Sequence, residues 1–326
     1  MKPSLRVFSL LLSVFFAFLL VAQQGESPLP PLPADIPKDA TLWMLLVDKT
    51  PAGQDAVWMT PTGDVVEFFQ FNDRGRGPKT YSTYRFGDRG IVSYEDTHGV
   101  DYMKNQVNES FSIKGGTASW KNQAEDGHES NANGRFFVGL DAGPASTFQL
   151  AQALLKSGNK LPLLPGGEAE LTKLKTVPVE ANSKKINAML YQITGLDFSP
   201  TYLWLDDQSN GFAAVQGWSG LIRAGFESTF KTLYDTQDAI ESARAAELAK
   251  QLIHHPTGDL IFKNVTVFDS AAAKNVPAQR VTVRGEKIVS VEAESGQATA
   301  AGAQVIDGSG RTAHRARGIH RRPGSL

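Results

Sequence analysis

The sequence predicts a mainly β fold with some helix, of the α+β class, in which an antiparallel meander is followed by a smaller β-domain. Three observations carry this. Short β-prone runs split by turn signals fill residues 42–121, and only two stretches, near 146–158 and 227–253, have a helical pattern. After residue 257 strand-like sequence resumes with a different character. The chain has 326 residues, 41% of them hydrophobic, which is ample for one or two cores and rules out wholesale disorder.

The elements follow in order. Lys2 and Arg6 precede the apolar run Val7 to Val21 and then Ala22, which predicts a signal peptide over residues 1–22 cleaved near Ala22. The implied protein is exported, periplasmic or secreted, and its first partner is the export machinery. Leu20 is an imperfect small-residue match, so an uncleaved membrane anchor is the alternative. Residues 23–40 form a Pro-rich linker; the prolines between Ser27 and Pro37 fix φ and remove donors, predicting an extended spacer, with a PxxP ligand as the sharper but disfavoured reading.

A β-rich N-terminal domain is expected over residues 41–225. Its strands are read at Val57–Met59, Val65–Phe71, Thr80–Phe86, Ile91–Glu95, Phe111–Ile113 and Ala118–Trp120, with hairpin turns at Gly87–Gly90 and Lys114–Thr117. Residues 121–134 read as a loop. Ser146 is placed as the N-cap of a short helix in which Phe148, Ala151, Gln152 and Leu155 share a face, and Gly158 ends it. Strands resume at Lys185–Thr194, Thr201–Leu205 and Phe212–Val215, the last two joined as a hairpin. A connecting helix over residues 226–256 carries an uneven stripe of Phe230, Leu233, Gln237, Ile240, Leu248 and Leu252, and Pro256 stops it.

Composition narrows the chemistry. There is no cysteine, which excludes disulfides, thiolate zinc sites, iron–sulfur clusters and a cysteine nucleophile. Residues 311–326 hold five arginines and no acid, so once the leader is also removed the body has 26 basic against 34 acidic side chains, a balance of −8. That is a poor footing for phosphate contacts, and no nucleic-acid partner is expected.

Each motif is weighed against an ordinary structural role. Gly217-Trp218-Ser219-Gly220-Leu221 resembles a nucleophile elbow with its first glycine misplaced, and an exposed serine in a turn explains it better. Ser157-Gly158-Asn159-Lys160 lacks the upstream glycine of a phosphate loop and reads as a helix end. No two of His98, His128, His254, His255, His314 and His320 have metal-ligand spacing. Asp96 to Asp101 and Glu125 to Glu129 gather acids and an imidazole, but solvated turns are favoured. The His254-His255 pair suits a helix C-terminus, and the sequons at Asn108 and Asn264 are given no role. Trp58, Trp120, Trp204 and Trp218 either line an apolar cavity on the concave side of a curved sheet or belong to ordinary core, the latter favoured.

The C-terminal block carries a resemblance. Leu260–Asp269, then Val281–Val291 with the Gly285-Glu286 turn, then Ala303–Thr312 with Val305-Ile306-Asp307-Gly308, resembles the start of the amidohydrolase superfamily of metal-dependent hydrolases. The resemblance implies that residues 257–312 are the incomplete composite β-domain, a sandwich part, of such an enzyme. The segment with Pro200 to Asp206 and Gly217-Trp218 looks similar to the extra N-terminal region of exported members. The family's H-x-H strand is absent: residues 313–326 are a basic tail read as out of frame, with a genuine polyanion-binding tail as the alternative. No catalytic, cofactor-binding or metal residue is therefore carried over. A divalent metal such as zinc is expected only for the full-length family, and the missing C-terminal barrel is the natural packing partner.

The function this implies is the N-terminal fragment of an exported hydrolase of non-peptide carbon–nitrogen bonds, inactive alone. The alternative is a periplasmic β-domain that binds an apolar ligand or serves as a scaffold, and its sign is an apolar cavity under the sheet.

Overall fold

The computed structural model describes residues 29–253 and 255–309. The expected signal peptide, the start of the expected linker, His254 and the basic tail with His314 and His320 lie outside these described residues. Among the described residues no helix is long and apolar enough to cross a membrane. The chain divides into two compact units, Met1–Ala243 and Arg244–Leu326.

The first unit is built on one fifteen-stranded sheet. Its first half is a meander of β1 (Thr41–Val47), β2 (Thr50–Met59), β3 (Val65–Phe71), β4 (Lys79–Phe86), β5 (Val92–Val100), β6 (Gln106–Lys114), β7 (Thr117–Lys121) and β8 (Asp126–Glu129). The second half begins at the opposite edge with β9 (Phe136–Phe137), passes through helix α1 (Ala145–Lys156), and continues with β10 (Lys160–Leu164) and β11 (Glu168–Ala181). It returns through β12 (Lys184–Thr194), β13 (Thr201–Leu205), β14 (Gly211–Val215) and β15 (Ser219–Arg223). β15 pairs antiparallel with β1, Trp43 opposite Arg223, so the two meanders fuse into a single surface. β9 is joined to β10 in parallel.

The sheet curls until its two ends approach. Phe137 of β9 stacks on Phe111 of β6 with ring centres 4.2 Å apart and planes within 4°, and also lies against Trp120 of β7. The rolled sheet encloses α1. Phe148, Leu150, Ala151, Ala153 and Leu154 of the helix are buried with Phe111, Trp120, Leu161, Leu163, Ile193, Leu203 and Leu205 from the inner wall. The helix has apolar residues around most of its circumference because it is surrounded, which differs from the single face that periodicity predicts. The opposite face of β12–β15 buries Leu190, Trp204, Phe212 and Ile222 under Phe226 and the first turns of α2 (Phe230–Leu252), through Phe230 and Leu233. Gln237 fixes that docking: its side chain accepts from Trp204 Nε1 at 3.2 Å and donates to the Val215 carbonyl at 2.9 Å.

Several expectations are corrected here. Residues 121–134 contain β8, and Asp96 to Val100 continue β5 rather than turning. Ser146 does not cap α1; its hydroxyl bonds the Gly143 carbonyl, and no local side chain caps the helix. The Pro-rich segment, from residue 29 onward, is not a free spacer, since Gln70 Nε2 donates to the carbonyls of Pro30 and Pro31 at 3.2 Å each.

In the second unit, β16 (Leu260–Asp269), β17 (Lys274–Arg284), β18 (Lys287–Ala293) and β19 (Gln304–Asp307) form a sheet in the order β18-β17-β16-β19. The Gly285-Glu286 hairpin forms as read, joining β17 to β18. Ile261 and Arg280 are buried, while Phe268, Ile288 and Val291 are exposed.

Candidate functional site

The inner wall of the first unit alternates side chains by strand pairing, and α1 lies across it. On one side of the helix the packing leaves a cleft of about 490 Å³, within the range of about 300–1,000 Å³ usual for small-molecule sites. The helix face that borders it is Ala145, Phe148, Gln149, Gln152 and Lys156, a stripe at helical spacing. The sheet contributes Trp43, Val57, Val65 and Phe86, and Asn210, Gly211 and Arg223 complete the lining.

Trp43 stacks on Phe148, ring centres 6.0 Å apart and planes within 20°. Arg223 sits across the strand pair from Trp43, its guanidinium 6.0 Å from the indole centre. Asp206 binds Arg223 Nη1 at 2.8 Å and also accepts from the Asn210 and Gln208 N–H groups. Burial pushes the Asp206 carboxyl up, but the Arg223 and Asn210 bonds prevail and hold it below the usual range. Arg223 also donates to the Gly211 carbonyl, which fixes its direction. Lys156 has no ion pair among the described residues. Three polar atoms of the lining, Trp43 Nε1, Gln149 Oε1 and Arg223 Nε, are buried without a hydrogen-bond partner, each at a cost of about 1–3 kcal/mol.

Beside the cleft runs a row of buried carboxyls that sequence reading missed. Asp55, Glu67, Glu95 and Glu109 all point from β2, β3, β5 and β6 to the inner face and are essentially inaccessible. The segment between β9 and α1 covers them. Glu67 accepts from the Ala145 N–H at 2.8 Å and the Tyr84 hydroxyl at 3.0 Å, supplying from a distant strand the cap that α1 lacks locally. Glu109 accepts from the N–H groups of Leu140 and Asp141 at 2.9 and 2.8 Å and from Asn122 at 3.0 Å. Glycine is needed where the strap touches these groups: a Cβ on Gly143 would sit 2.3 Å from Glu67 Oε1, and one on Gly139 2.7 Å from Glu95 Oε1.

Burial sets the protonation of this row. It pushes Glu67 up to about 7 against the hydrogen bonds from Ala145 and Tyr84. It pushes Glu95 up to about 8, helped by the charges of Glu109 and Glu67. Asp55 is raised well above the ordinary carboxylate range by burial and then by the charge of Glu67 and a hydrogen bond with its carboxyl. Among the described residues no group of three or more His, Asp or Glu is placed to hold a metal ion, this row included.

The sequence candidates are scattered. Ser219 begins β15 opposite Val47, and strands rather than a strand and a helix flank its turn, so Gly217 to Leu221 is a hairpin and no nucleophile elbow. Ser157 to Lys160 ends α1 with Gly158 at φ 76°, as read. His98 lies on the outer face of β5, 3.4 Å from Asp96 and stacked on Tyr81, exposed. Asp101 instead accepts from the Met103 and Asn105 N–H groups in a turn. His128 and Glu129 belong to β8 and Asn108 to β6; Asn264 bonds Asp307 and Ser309. The four tryptophans weighed as cavity lining do not gather: Trp120 is inner core, Trp204 lies under α2, Trp58 is half-buried and Trp218 is 62% exposed. Trp43, which was not singled out, lines the cleft.

Comparison with known proteins gives little. No model of a known family matches the chain, and no curated protein matches it. A solved structure that is similar is the β-barrel-like protein of a domain of unknown function, DUF1849, from Brucella abortus, with 11% identity, a TM-score of 0.36, and coverage of 56% of this chain and 93% of that one. No family model matches, that of the amidohydrolases included, and the similar structure named above is a β-barrel-like protein, so the reading of the chain as the front of a metal-dependent hydrolase and of residues 257–312 as its composite domain is corrected. The physical reason is plain in the second unit. The pattern that carried the resemblance is that of two alternating hairpins and a short parallel strand, which any small sheet of this order requires. Among the described residues the chain is mainly β, with two α-helices and a large sheet dominated by antiparallel pairs.

Proposed function

We propose that this protein is a binding β-domain that carries an apolar small molecule in the cleft between α1 and the sheet, rather than an enzyme fragment. The observation that carries this is the cleft itself. Beside the Trp43–Phe148 stack the enclosed helix leaves about 490 Å³, lined by Val57, Val65, Phe86 and those two rings as well as by polar side chains. The basic and apolar start of the chain supports export, and the acidic body supports a ligand other than nucleic acid.

The test is saturable binding of the neutral fluorophore N-phenyl-1-naphthylamine by the full chain, and its loss in Val57→Trp, which fills the cleft. Circular dichroism checks that the variant remains folded. Absence of saturable binding, or binding untouched in a folded Val57→Trp, overturns the reading.

A further inference from the structure

The cleft has a polarity gradient along α1. At the N-terminal end its floor is Ala145 and Phe148, facing Val57, Val65 and Trp43. Toward the C-terminal end the same stripe becomes Gln152 and then Lys156, with Asn210 beside them. Ala145 and Lys156 are eleven residues apart on one helix, or about 16 Å at 1.5 Å per residue. The cleft therefore offers an apolar run with a polar end.

The charge of the lining has one sign. The lining holds two cations, Lys156 and Arg223, and no carboxylate, within a body whose balance is acidic. Arg223 is paired with Asp206 and held in place, its Nε left without a partner. Lys156 has no ion pair among the described residues and stands in the last turn of α1, where the partial negative charge of the helix end favours a cation. Trp43 Nε1 remains buried on the same lining without a partner within the protein, so a donor is left over for an oxygen of the ligand.

Resting on the reading of the cleft as an apolar-ligand site, we propose that its ligand is a single-chain amphiphile with an anionic head. The tail lies toward Ala145, Phe148, Val57 and Val65, and the head sits beside Lys156, while Arg223, fixed beside Trp43, adds a second positive charge along the cleft. The chemistry is that of a long-chain carboxylate. Lys156 is exposed, so its replacement removes a charge without opening the core.

The experiment uses the full chain and three probes of one chain length, all below their micelle-forming concentrations: dodecanoate, dodecanol and dodecyltrimethylammonium, followed by tryptophan fluorescence and calorimetry. The expected result is dodecanoate binding at least about tenfold more tightly than dodecanol, with the cationic probe weakest. In Lys156→Gln that advantage falls to about threefold or less while dodecanol binding is unchanged. Equal binding of dodecanoate and dodecanol, or preference for the cation, overturns the anionic head and leaves the apolar site standing. Failure of all three probes to bind overturns the apolar site itself. An advantage that survives intact in Lys156→Gln overturns the assignment of the head to Lys156.

Discussion

Replacing Glu95 by glutamine tests the buried carboxyl row directly. Glu95 is buried between Tyr84 and Phe111 on the inner wall, with a 3.4 Å bond from Thr97 as its polar contact. Burial, and then the charges of Glu109 and Glu67, raise it from an ordinary 4.5 to about 8. The folded state thus keeps a proton that the unfolded state gives up. The stability this brings is full below the unfolded value, falls as pH rises between the two values, and is lost once pH passes about 8. The slope is about 1.4 kcal/mol per pH unit, so between about pH 5.5 and pH 7.5 the parent loses up to about 3 kcal/mol through this one residue. Glu95→Gln is neutral throughout and escapes that loss. The variant and the parent are expected to unfold alike near pH 5 and to separate by about 3 kcal/mol at pH 7.5, with the variant more stable. The assay is urea unfolding at fixed pH, read by tryptophan fluorescence, which reports the first unit alone because all five tryptophans lie within it. A difference that stays constant within about 0.5 kcal/mol across that pH range would refute the argument.

Two further outcomes follow from the same packing. Gly143→Ala drives a Cβ to 2.3 Å from the Glu67 carboxylate, which the Ala145 N–H and the Tyr84 hydroxyl hold in place; a loss of about 1–3 kcal/mol is expected in the same urea assay, and an unchanged midpoint contradicts the contact. Phe137→Ala removes the ring that stacks on Phe111 and joins the two ends of the sheet; a loss of about 3–5 kcal/mol is expected, and one below about 1 kcal/mol means that closure does not depend on it.

Much of the fold was legible, and the failures have identifiable causes. Val65 to Phe71 and Thr201 to Leu205 were read with the bounds the structure gives them, because turn residues flank a run of β-branched and aromatic side chains. Gly115-Gly116 announced its hairpin by composition. The hairpins at Asp48-Lys49 and Asn182-Ser183 use the same positive φ values without a glycine, so they gave no such signal. β11 was hidden by its glutamates and lysines and by Pro178, which suit a strand with one wet face. The carboxyl row was illegible for a related reason. Glu67, Glu95 and Glu109 sit in strands where alternation assigns charged residues to solvent, and only the fold brings the first N–H of α1 to Glu67 and two strap N–H groups to Glu109. Trp43 likewise acquires its place in the cleft from Phe148 and Arg223, which are remote in sequence.

The order of the strands gives the first unit a seam. β1 and β15, its first and last strands, pair in the middle of the sheet, whereas the sheet's edges, β8 and β9, come from the middle of the chain. Each meander assembles from neighbours, but the seam joins Trp43 to Arg223 across nearly the whole unit and closes the longest loop in it. During synthesis one edge of β1 has no partner until residue 223 has emerged, so the growing chain carries an open strand edge while all the strands between are made. Zipping of that seam is the step at which two curved ribbons become one enclosure, and before it α1 has no chamber to occupy.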